Sequence, residues 1–147
     1  MAFPKRVLIV EDNYEKYYSL QFIILQLASD ISLTHHSGSR SALKHLSESN
    51  APLYDMIFLN WGMPEISGRE CVIGMRLLPF YAHVPIVVYS SLDEKPDYEE
   101  VMRLGAAYFF LLPDSSIELL HEVQKIFSLY QYFASRDVAG NFEIPND

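Results

Sequence analysis

The sequence predicts an α/β fold in which five parallel strands alternate with five helices. Two observations lead to this class. Short continuous apolar runs recur along the chain, and such runs are typical of strands buried on both faces of a parallel sheet. Between the runs, apolar residues recur at the spacing of amphipathic helices. This alternation favours a three-layer domain in which helices cover both faces of the sheet.

Five segments are predicted to form strands. Four are continuous apolar runs, at residues 7–10, 56–59, 86–89 and 108–112. The fifth, at residues 31–36, alternates apolar and polar side chains, which favours an edge strand with one face in water. With this segment at the edge, right-handed crossovers give the order 2-1-3-4-5 of a flavodoxin-like (βα)5 sandwich.

Helices are predicted in the intervals after the strands, at residues 13–29, 39–48, 67–79, 96–104 and 115–134. The last of them opens with an S-x-x-E capping box. Apolar residues recur at helical spacing in the first and last helices. In the first helix they are Tyr14, Tyr17, Tyr18, Phe22, Leu25 and Ala28, and in the last they are Leu119, Val123, Ile126, Tyr130 and Phe133.

Length, charge and cysteine content narrow the class of protein. A chain of 147 residues suits one domain, predicted at residues 1–134 with a loosely ordered C-terminal tail at residues 135–147. The net charge of −8 argues against a nucleic-acid partner, which requires a basic surface. No apolar run is long enough for a signal peptide or a membrane span. The single cysteine, Cys71, excludes an internal disulfide, and we expect a cytoplasmic protein.

The predicted topology brings polar side chains to one rim of the sheet, where the strands end. Glu11 and Asp12 follow the first strand. Asn60 follows the third strand and Ser90 follows the fourth. Ligands of doubly wound sheets bind outside these carboxyl ends, at the switch between strands 1 and 3. We therefore expect a candidate site at this rim, built from two acids, an amide and a hydroxyl.

Four stretches, in this order along the chain, resemble the receiver domain of two-component response regulators. The resemblance covers about residues 5–134, and its stretches are VLIVED, DMIFLNWGMPEISGRE, VPIVVYSS and GAAYFFLLPDS. It implies a role in two-component (phosphorelay) signal transduction, in which a histidine kinase transfers a phosphoryl group to an aspartate of the receiver. The chain is similar to small stand-alone receivers, some of which serve phytochrome-type kinases. The resemblance implies no enzymatic activity of the domain itself.

By this resemblance, Asn60 stands at the phosphoacceptor-equivalent position. Glu11, Asp12 and the carbonyl of Gly62 stand where the family holds Mg²⁺. Asparagine is the first departure from the family, because an ionised carboxylate can act as a nucleophile and form an acyl phosphate, whereas a neutral amide lacks that charge. We expect Mg²⁺ binding to be weak, since one carboxylate is missing, and we expect Asn60→Asp to tighten it.

The resemblance assigns Ser90 and Leu112 to the phosphate-contact-equivalent positions and Phe109 to the switch aromatic. Leu112 is the second departure, because the family has lysine there. The two departures balance, since three acids and one lysine sum to a charge of −2, as do the two rim acids alone. This paired change indicates a receiver that has given up phosphoryl transfer. The family's Lys-Pro bond also implies a cis peptide between Leu112 and Pro113.

Other interpretations remain open at this point. Glu11 and Asp12 are also typical of a helix start, and the Ser90 hydroxyl also suits the capping of backbone groups at a strand end. A second hypothesis is a true phosphoacceptor that uses another residue, such as Asp12. A third is a sensor of small anions or of Mg²⁺ or Ca²⁺ that uses both acids and Ser90.

The sequence also predicts a surface for protein partners. Receivers commonly dimerise or dock through the face formed by the fourth helix, the fifth strand and the fifth helix. Apolar residues in these segments favour such a face, and they are Tyr98, Met102, Tyr108, Phe110, Leu120 and Phe127. We expect a homodimer there, or docking of a histidine kinase or another signalling protein.

Overall fold

The structure confirms the α/β, flavodoxin-like fold. It is a computed structural model that describes residues 3–134, and the predicted tail at residues 135–147 lies outside the described residues. Five parallel strands form one sheet in the predicted order, β2-β1-β3-β4-β5. Each strand begins and ends within one residue of its predicted bounds, and the observed bounds are Arg6–Val10 (β1), Ser32–His36 (β2), Met56–Asn60 (β3), Ile86–Ser90 (β4) and Tyr108–Leu111 (β5).

The burial of the strands matches their sequence patterns. All residues of β3 and β4 are buried, and Arg6 is the one exposed residue of β1. By contrast, every residue of β2 is exposed or partly exposed, because this strand lies at the edge of the sheet and pairs with β1. The edge position explains the alternating polar residues of β2.

Five α-helices lie in the predicted segments, each slightly shorter than predicted. Their bounds are Tyr14–Leu27 (α1), Ser39–Ser47 (α2), Gly68–Arg76 (α3), Tyr98–Arg103 (α4) and Ser116–Ala134 (α5). The predicted capping box is present in part, because Ser115 Oγ accepts a hydrogen bond from the Glu118 N–H at 3.4 Å. Within residues 3–134, no helix is both long enough and apolar enough to cross a membrane.

Two apolar layers hold the sheet between the helices. One layer joins α1 and α5 to one face of the sheet, and the other joins α2, α3 and α4 to the opposite face. The stripe predicted for α5 forms part of the first layer. Its residues Leu119, Val123, Ile126 and Phe133 are buried, and Tyr130 is partly buried against them.

The buried face of helix α1 differs from the face that its aromatic residues predict. Its buried residues are Tyr17, Leu20, Ile23 and Ile24. Three other aromatic residues with helical spacing form an exposed stripe instead, namely Tyr14 (58% exposed), Tyr18 (57%) and Phe22 (62%). Because α1 is apolar on most of its sides, its packing against the sheet and α5 decides which residues are buried, and spacing alone does not.

The predicted cis peptide between Leu112 and Pro113 is wrong. The described residues contain no cis peptide bond. The Leu112 N–H donates to the Ser90 carbonyl at 2.9 Å, so the backbone continues the pairing of β5 with β4 for one residue beyond the strand. A trans bond is the more stable form even before proline, and the chain adopts it here.

We expect the thiol of Cys71 to be unreactive in the folded protein. Cys71 lies on α3 in the core and is fully buried, and burial raises the pKa of its thiol to about 12. Thiols react as thiolates, so an aromatic disulfide reagent at pH 8 should label the unfolded chain rapidly and the native chain at the rate of unfolding. Because the chain has one cysteine, urea-unfolded protein is its own control. Rapid stoichiometric labelling without urea would contradict the burial of this thiol.

Candidate functional site

The carboxyl ends of β1, β3 and β4 are neighbours in the sheet, and they form the rim that the sequence predicts. In the strand register, Val10 lies beside Leu59, and Asn60 lies beside Tyr89. The residue after Val10 is Glu11, so its side chain meets that of Asn60. Glu11 is fully buried and Asn60 is 4% exposed. The structure therefore brings the predicted acid and amide into direct contact.

Glu11 is the centre of a buried hydrogen-bond network. Asn60 Nδ2 donates to its two carboxylate oxygens at 3.1 and 3.0 Å. The Tyr89 hydroxyl donates to Oε1 at 2.7 Å, and the Asn13 N–H donates to Oε2 at 3.0 Å. Hydrogen bonds from these three residues stabilise the ionised carboxylate in a place with little access to water.

The orientation of the Asn60 side chain is fixed from both ends. Its Oδ1 accepts a hydrogen bond from the Gly62 N–H at 3.0 Å, so its Nδ2 is the end that faces Glu11. An ionised carboxylate at this position could accept from Gly62 but could not donate to Glu11. In this chain residue 60 is therefore a donor to the rim acid.

The electrostatics of the rim follow from burial. Burial raises the pKa of Glu11 above its ordinary value of 4.5, and the hydrogen bonds from Asn13, Tyr89 and Asn60 oppose that shift. The nearby Asp12 side chain adds to the rise. Burial, and next the charge of Glu11, raise the pKa of the Tyr89 hydroxyl well above 10.0, so at neutral pH the hydroxyl keeps its proton and remains a donor.

The backbone of Glu11 is held from the edge strand. Its N–H donates to the His36 carbonyl at 3.0 Å. Its carbonyl accepts from His35 Nε2 at 2.8 Å. The His35 ring stacks on the Tyr17 ring of α1, with ring centroids 3.8 Å apart. These contacts fix the backbone at the start of the β1–α1 connection. They therefore fix the direction in which the Glu11 side chain projects.

The other predicted metal-binding groups are less buried than this carboxylate. Asp12 is exposed. Gly62 lies against the carboxylate of Glu94, which would overlap a Cβ atom at that position. Within residues 3–134, no group of three or more His, Cys, Asp or Glu side chains is arranged to hold a metal ion. The roles of Glu11, Asp12 and Gly62 as metal ligands stay predictions.

Ser90 and Leu112 differ in what surrounds them. Ser90 is fully buried, and its Oγ has no hydrogen-bond partner among the described residues. It therefore makes no capping contact of the kind that a strand end would use. Leu112 is partly buried and packs against the apolar layer beneath α1 and α5. No lysine is present at that position to approach the rim.

Because the Ser90 hydroxyl is unpaired, we expect Ser90→Ala to raise the free energy of unfolding, by about 1 kcal/mol. Urea denaturation followed by circular dichroism measures this change. Ser39→Ala is a matched control, since Ser39 is also fully buried but donates to the Ile66 carbonyl at 3.0 Å, and its loss should lower stability by about the same amount. A destabilised Ser90→Ala variant would show that the hydroxyl has a partner.

The predicted switch aromatic and part of the predicted partner face lie between α4 and β5. Phe109 is partly buried, and its ring meets that of Tyr98 edge-on at a centroid distance of 6.3 Å. Tyr98 is 55% exposed. Tyr108 and Met102 are partly buried, and the Tyr108 hydroxyl donates to Glu122 at 2.6 Å.

Two residues of the predicted partner face do not lie on the surface. Phe110 is 5% exposed and Phe127 is 1% exposed, and both belong to the core layer under α1 and α5. Their assignment to a partner surface is wrong. The surface of α5 that remains includes Leu120, which is partly buried. The apolar residues on several sides of α5 serve its packing on the sheet as well as on α1.

Sequence reasoning missed two residues near the rim, Tyr89 and Glu94. Tyr89 lies in a continuous apolar run, which indicates a core position and gives no sign of a polar role. The available signal was the hydroxyl itself, because a buried tyrosine needs a hydrogen-bond partner. Glu94 lies in a 3₁₀ helix after β4, where its charge resembles that of any exposed loop residue.

Comparison with known proteins gives one family and one fold. The family model for the response regulator receiver domain matches residues 7–124. The chain is 26% identical over 122 residues to "Hybrid signal transduction histidine kinase I" of Dictyostelium discoideum. That alignment covers 82% of this chain and 7% of the kinase, so it reaches a small part of that protein.

Solved structures of receivers share the fold. The phosphorylated cyanobacterial phytochrome response regulator RcpA superposes with a TM-score of 0.78 at 21% identity, over 89% of this chain and 96% of its own. The Mn²⁺-bound form of response regulator Rcp1 superposes with a TM-score of 0.76 at 23% identity, over 86% of this chain and 94% of its own. At identities this low, the superpositions show that these chains share a fold.

Proposed function

The chain belongs to the response regulator receiver family of two-component signalling, and on that premise we propose that it works without phosphorylation at the usual position. In this proposal it acts by binding other proteins. Receivers are signalling modules, and we infer no enzymatic activity for this one. We also propose that residues 1–134 form the receiver domain and that it acts in the cytoplasm.

The contact between Asn60 and Glu11 is the observation that carries the proposal. The amide donates to both carboxylate oxygens, so the phosphoacceptor-equivalent residue is committed to a structural role. Its nitrogen carries no negative charge with which to attack a phosphoryl group. Leu112 offers no cation that would neutralise phosphoryl oxygens. Both departures from the family, Asn60 and Leu112, disfavour phosphoryl transfer.

We propose weak Mg²⁺ binding at Glu11, Asp12 and the Gly62 carbonyl. Rcp1 binds Mn²⁺, and its chain shares this fold. Here the three groups include one buried carboxylate that already accepts hydrogen bonds and one exposed carboxylate. Mg²⁺ in proteins relies on one or two carboxylates together with phosphate oxygens and water, so two acids without a phosphoryl group support a low affinity.

The proposed partner is a histidine kinase or another signalling protein, or a second copy of the chain. The face that remains for a homodimer after the correction above consists of Tyr98, Met102, Tyr108 and Leu120 on α4, β5 and α5. Tyr98 supports this face most directly, because more than half of its surface is exposed. The exposed stripe on α1 offers a second apolar surface.

Intact mass after incubation with acetyl phosphate and Mg²⁺ tests the proposal. We expect no phosphoryl adduct on the wild-type chain. The matched control is Asp12→Asn, because Asp12 is the exposed rim acid and the alternative phosphoacceptor. An adduct that forms on the wild type and disappears in Asp12→Asn would establish a working switch and overturn the proposal.

A further inference from the structure

The Glu11 carboxylate has no acceptor site left for a cation. An ionised carboxylate offers about four lone-pair sites on its two oxygens. Oε1 accepts from Tyr89 and Asn60, and Oε2 accepts from Asn13 and Asn60. A metal ion could bind this carboxylate only after one of these donors had left it. If that donor were Tyr89 or Asn60, it would then be buried without a partner, which is costly.

Tyr89 is the donor whose position is most firmly set. It is 1% exposed, and its ring stacks on that of Phe110 at a centroid distance of 5.6 Å. Both rings belong to the core layer beneath α1 and α5. The hydroxyl therefore cannot rotate into water when a ligand arrives, because its ring is packed on the face of the sheet that α1 and α5 cover.

The Tyr89 hydroxyl also approaches Glu11 from within the protein. It reaches Oε1 from β4, while Asn60 reaches both oxygens from β3. Through the Glu11 carboxylate, these two neutral donors join the ends of three neighbouring strands. Leu112, which stands at the lysine-equivalent position, packs in the same apolar layer as the Tyr89 ring.

We propose that the Tyr89 hydroxyl, together with the Asn60 amide, occupies the Glu11 oxygens that a divalent cation would use and so keeps the affinity of the rim for metal low. The cation that the family implies does not fit Glu11 as these donors hold it. This inference rests on the proposed function, and it identifies Tyr89 as the residue that sets the low affinity. The inference is tested by the affinity of the rim for a cation, whereas the proposed function is tested by transfer of a phosphoryl group.

Titration with Mg²⁺ and, separately, with Mn²⁺ tests the inference. Trp61 is the single tryptophan. It directly follows Asn60 and packs against Gly68, so its fluorescence reports on the rim. We expect Tyr89→Phe to bind either cation about tenfold more tightly than the wild type, because it removes a hydrogen bond to a charged group. The expected quenching is saturable and reversed by EDTA.

Tyr81→Phe is the matched control. Tyr81 is 2% exposed, and its hydroxyl accepts from the Tyr54 N–H at 3.3 Å, on the other side of the sheet from Tyr89. The Tyr81→Phe substitution removes a buried hydroxyl away from the rim, so the cation affinity of this variant should equal that of the wild type. Circular dichroism of each variant establishes that it is folded.

The outcomes separate clearly. Tighter binding in Tyr89→Phe and unchanged binding in Tyr81→Phe support the inference. Equal affinities for the wild type and Tyr89→Phe overturn it, whether both bind or neither does. If Tyr89→Phe does not fold, Mn²⁺ relaxation of water protons by the wild type decides, and saturable binding at micromolar Mn²⁺ overturns the inference. If the titrations support the inference but the wild-type chain forms a phosphoryl adduct, the proposed function alone is overturned.

Discussion

Phe127→Ala is expected to lower the free energy of unfolding by about 3–5 kcal/mol. Phe127 is 1% exposed, and its ring lies 5.5 Å from that of Phe3, within the layer between α5 and the sheet. Truncation removes the buried ring from this layer and leaves a cavity. Since domains are typically stable by about 5–15 kcal/mol, the loss is a large part of the total. Urea denaturation followed by circular dichroism measures it.

Phe22→Ala is the matched control for this prediction. Phe22 is also a helical phenylalanine, but it is 62% exposed, so its truncation should change stability by no more than about 0.5 kcal/mol. Size-exclusion chromatography of both variants adds a second readout. A stable Phe127→Ala variant with a changed oligomeric mass would restore Phe127 to a partner surface and contradict its place in the core.

Phe127 shows where prediction of the fold from the sequence stops. Continuous apolar runs placed four strands, and the alternating segment placed the edge strand β2, each within one residue of its bounds. A strand buried on both faces needs no partner element to be recognised. A helix that is apolar on several sides gives no such unique answer. Which sides of α1 and α5 are buried depends on their mutual packing, and helical spacing does not contain that information.

The rim was predictable to the extent that topology determines it. A parallel sheet collects the residues that follow its strands, so Glu11 and Asn60 were expected to meet. The chemistry of that meeting was not predictable from spacing. It depends on Tyr89, whose position in an apolar run indicates a core residue, and on the Gly62 N–H, which turns the Asn60 amide toward Glu11. Main-chain donors and ring packing leave no pattern in the sequence.

Asn60→Asp is expected to lose stability at pH 8 and to regain it as the pH falls. The substitution replaces a donor that lies 3.0–3.1 Å from the Glu11 oxygens with a second carboxylate. Two buried like charges at about 4 Å repel by about 4 kcal/mol at an effective dielectric constant of about 20. The folded pair should therefore retain a proton, so its pKa in the folded state lies above that in the unfolded state.

The sign of the pH dependence follows from this shift. A raised folded pKa adds stability that is present below the unfolded pKa and is lost as the pH rises through the folded value. Burial already raises the pKa of Glu11 in the wild type above 4.5, and the new carboxylate adds to that effect. Urea denaturation at pH 5 and pH 8 should show a difference between wild type and variant that grows with pH, to about 3 kcal/mol.

Asn13→Asp provides the control for the same chemical change at the same rim. Asn13 is exposed, and its side chain caps α1 by accepting from the Lys16 N–H at 3.0 Å. A carboxylate serves equally well at that helix start, and the Asn13 backbone N–H that Glu11 uses remains. We therefore expect Asn13→Asp to match the wild type at both pH values. A loss of stability at pH 8 in this variant would mean that added negative charge anywhere on the rim is sufficient.

A charge-restoring double variant separates repulsion from the loss of the amide. In Asn60→Asp combined with Glu11→Gln, the carboxylate moves to β3 and the amide moves to the end of β1, so one donor again faces one acceptor. The Tyr89 hydroxyl keeps an oxygen acceptor at residue 11. If repulsion between two buried carboxylates causes the loss, the double variant should recover most of its stability at pH 8. If it remains as unstable as Asn60→Asp alone, the rim requires its own carboxylate at Glu11, and the network rather than the charge balance explains why residue 60 is an asparagine.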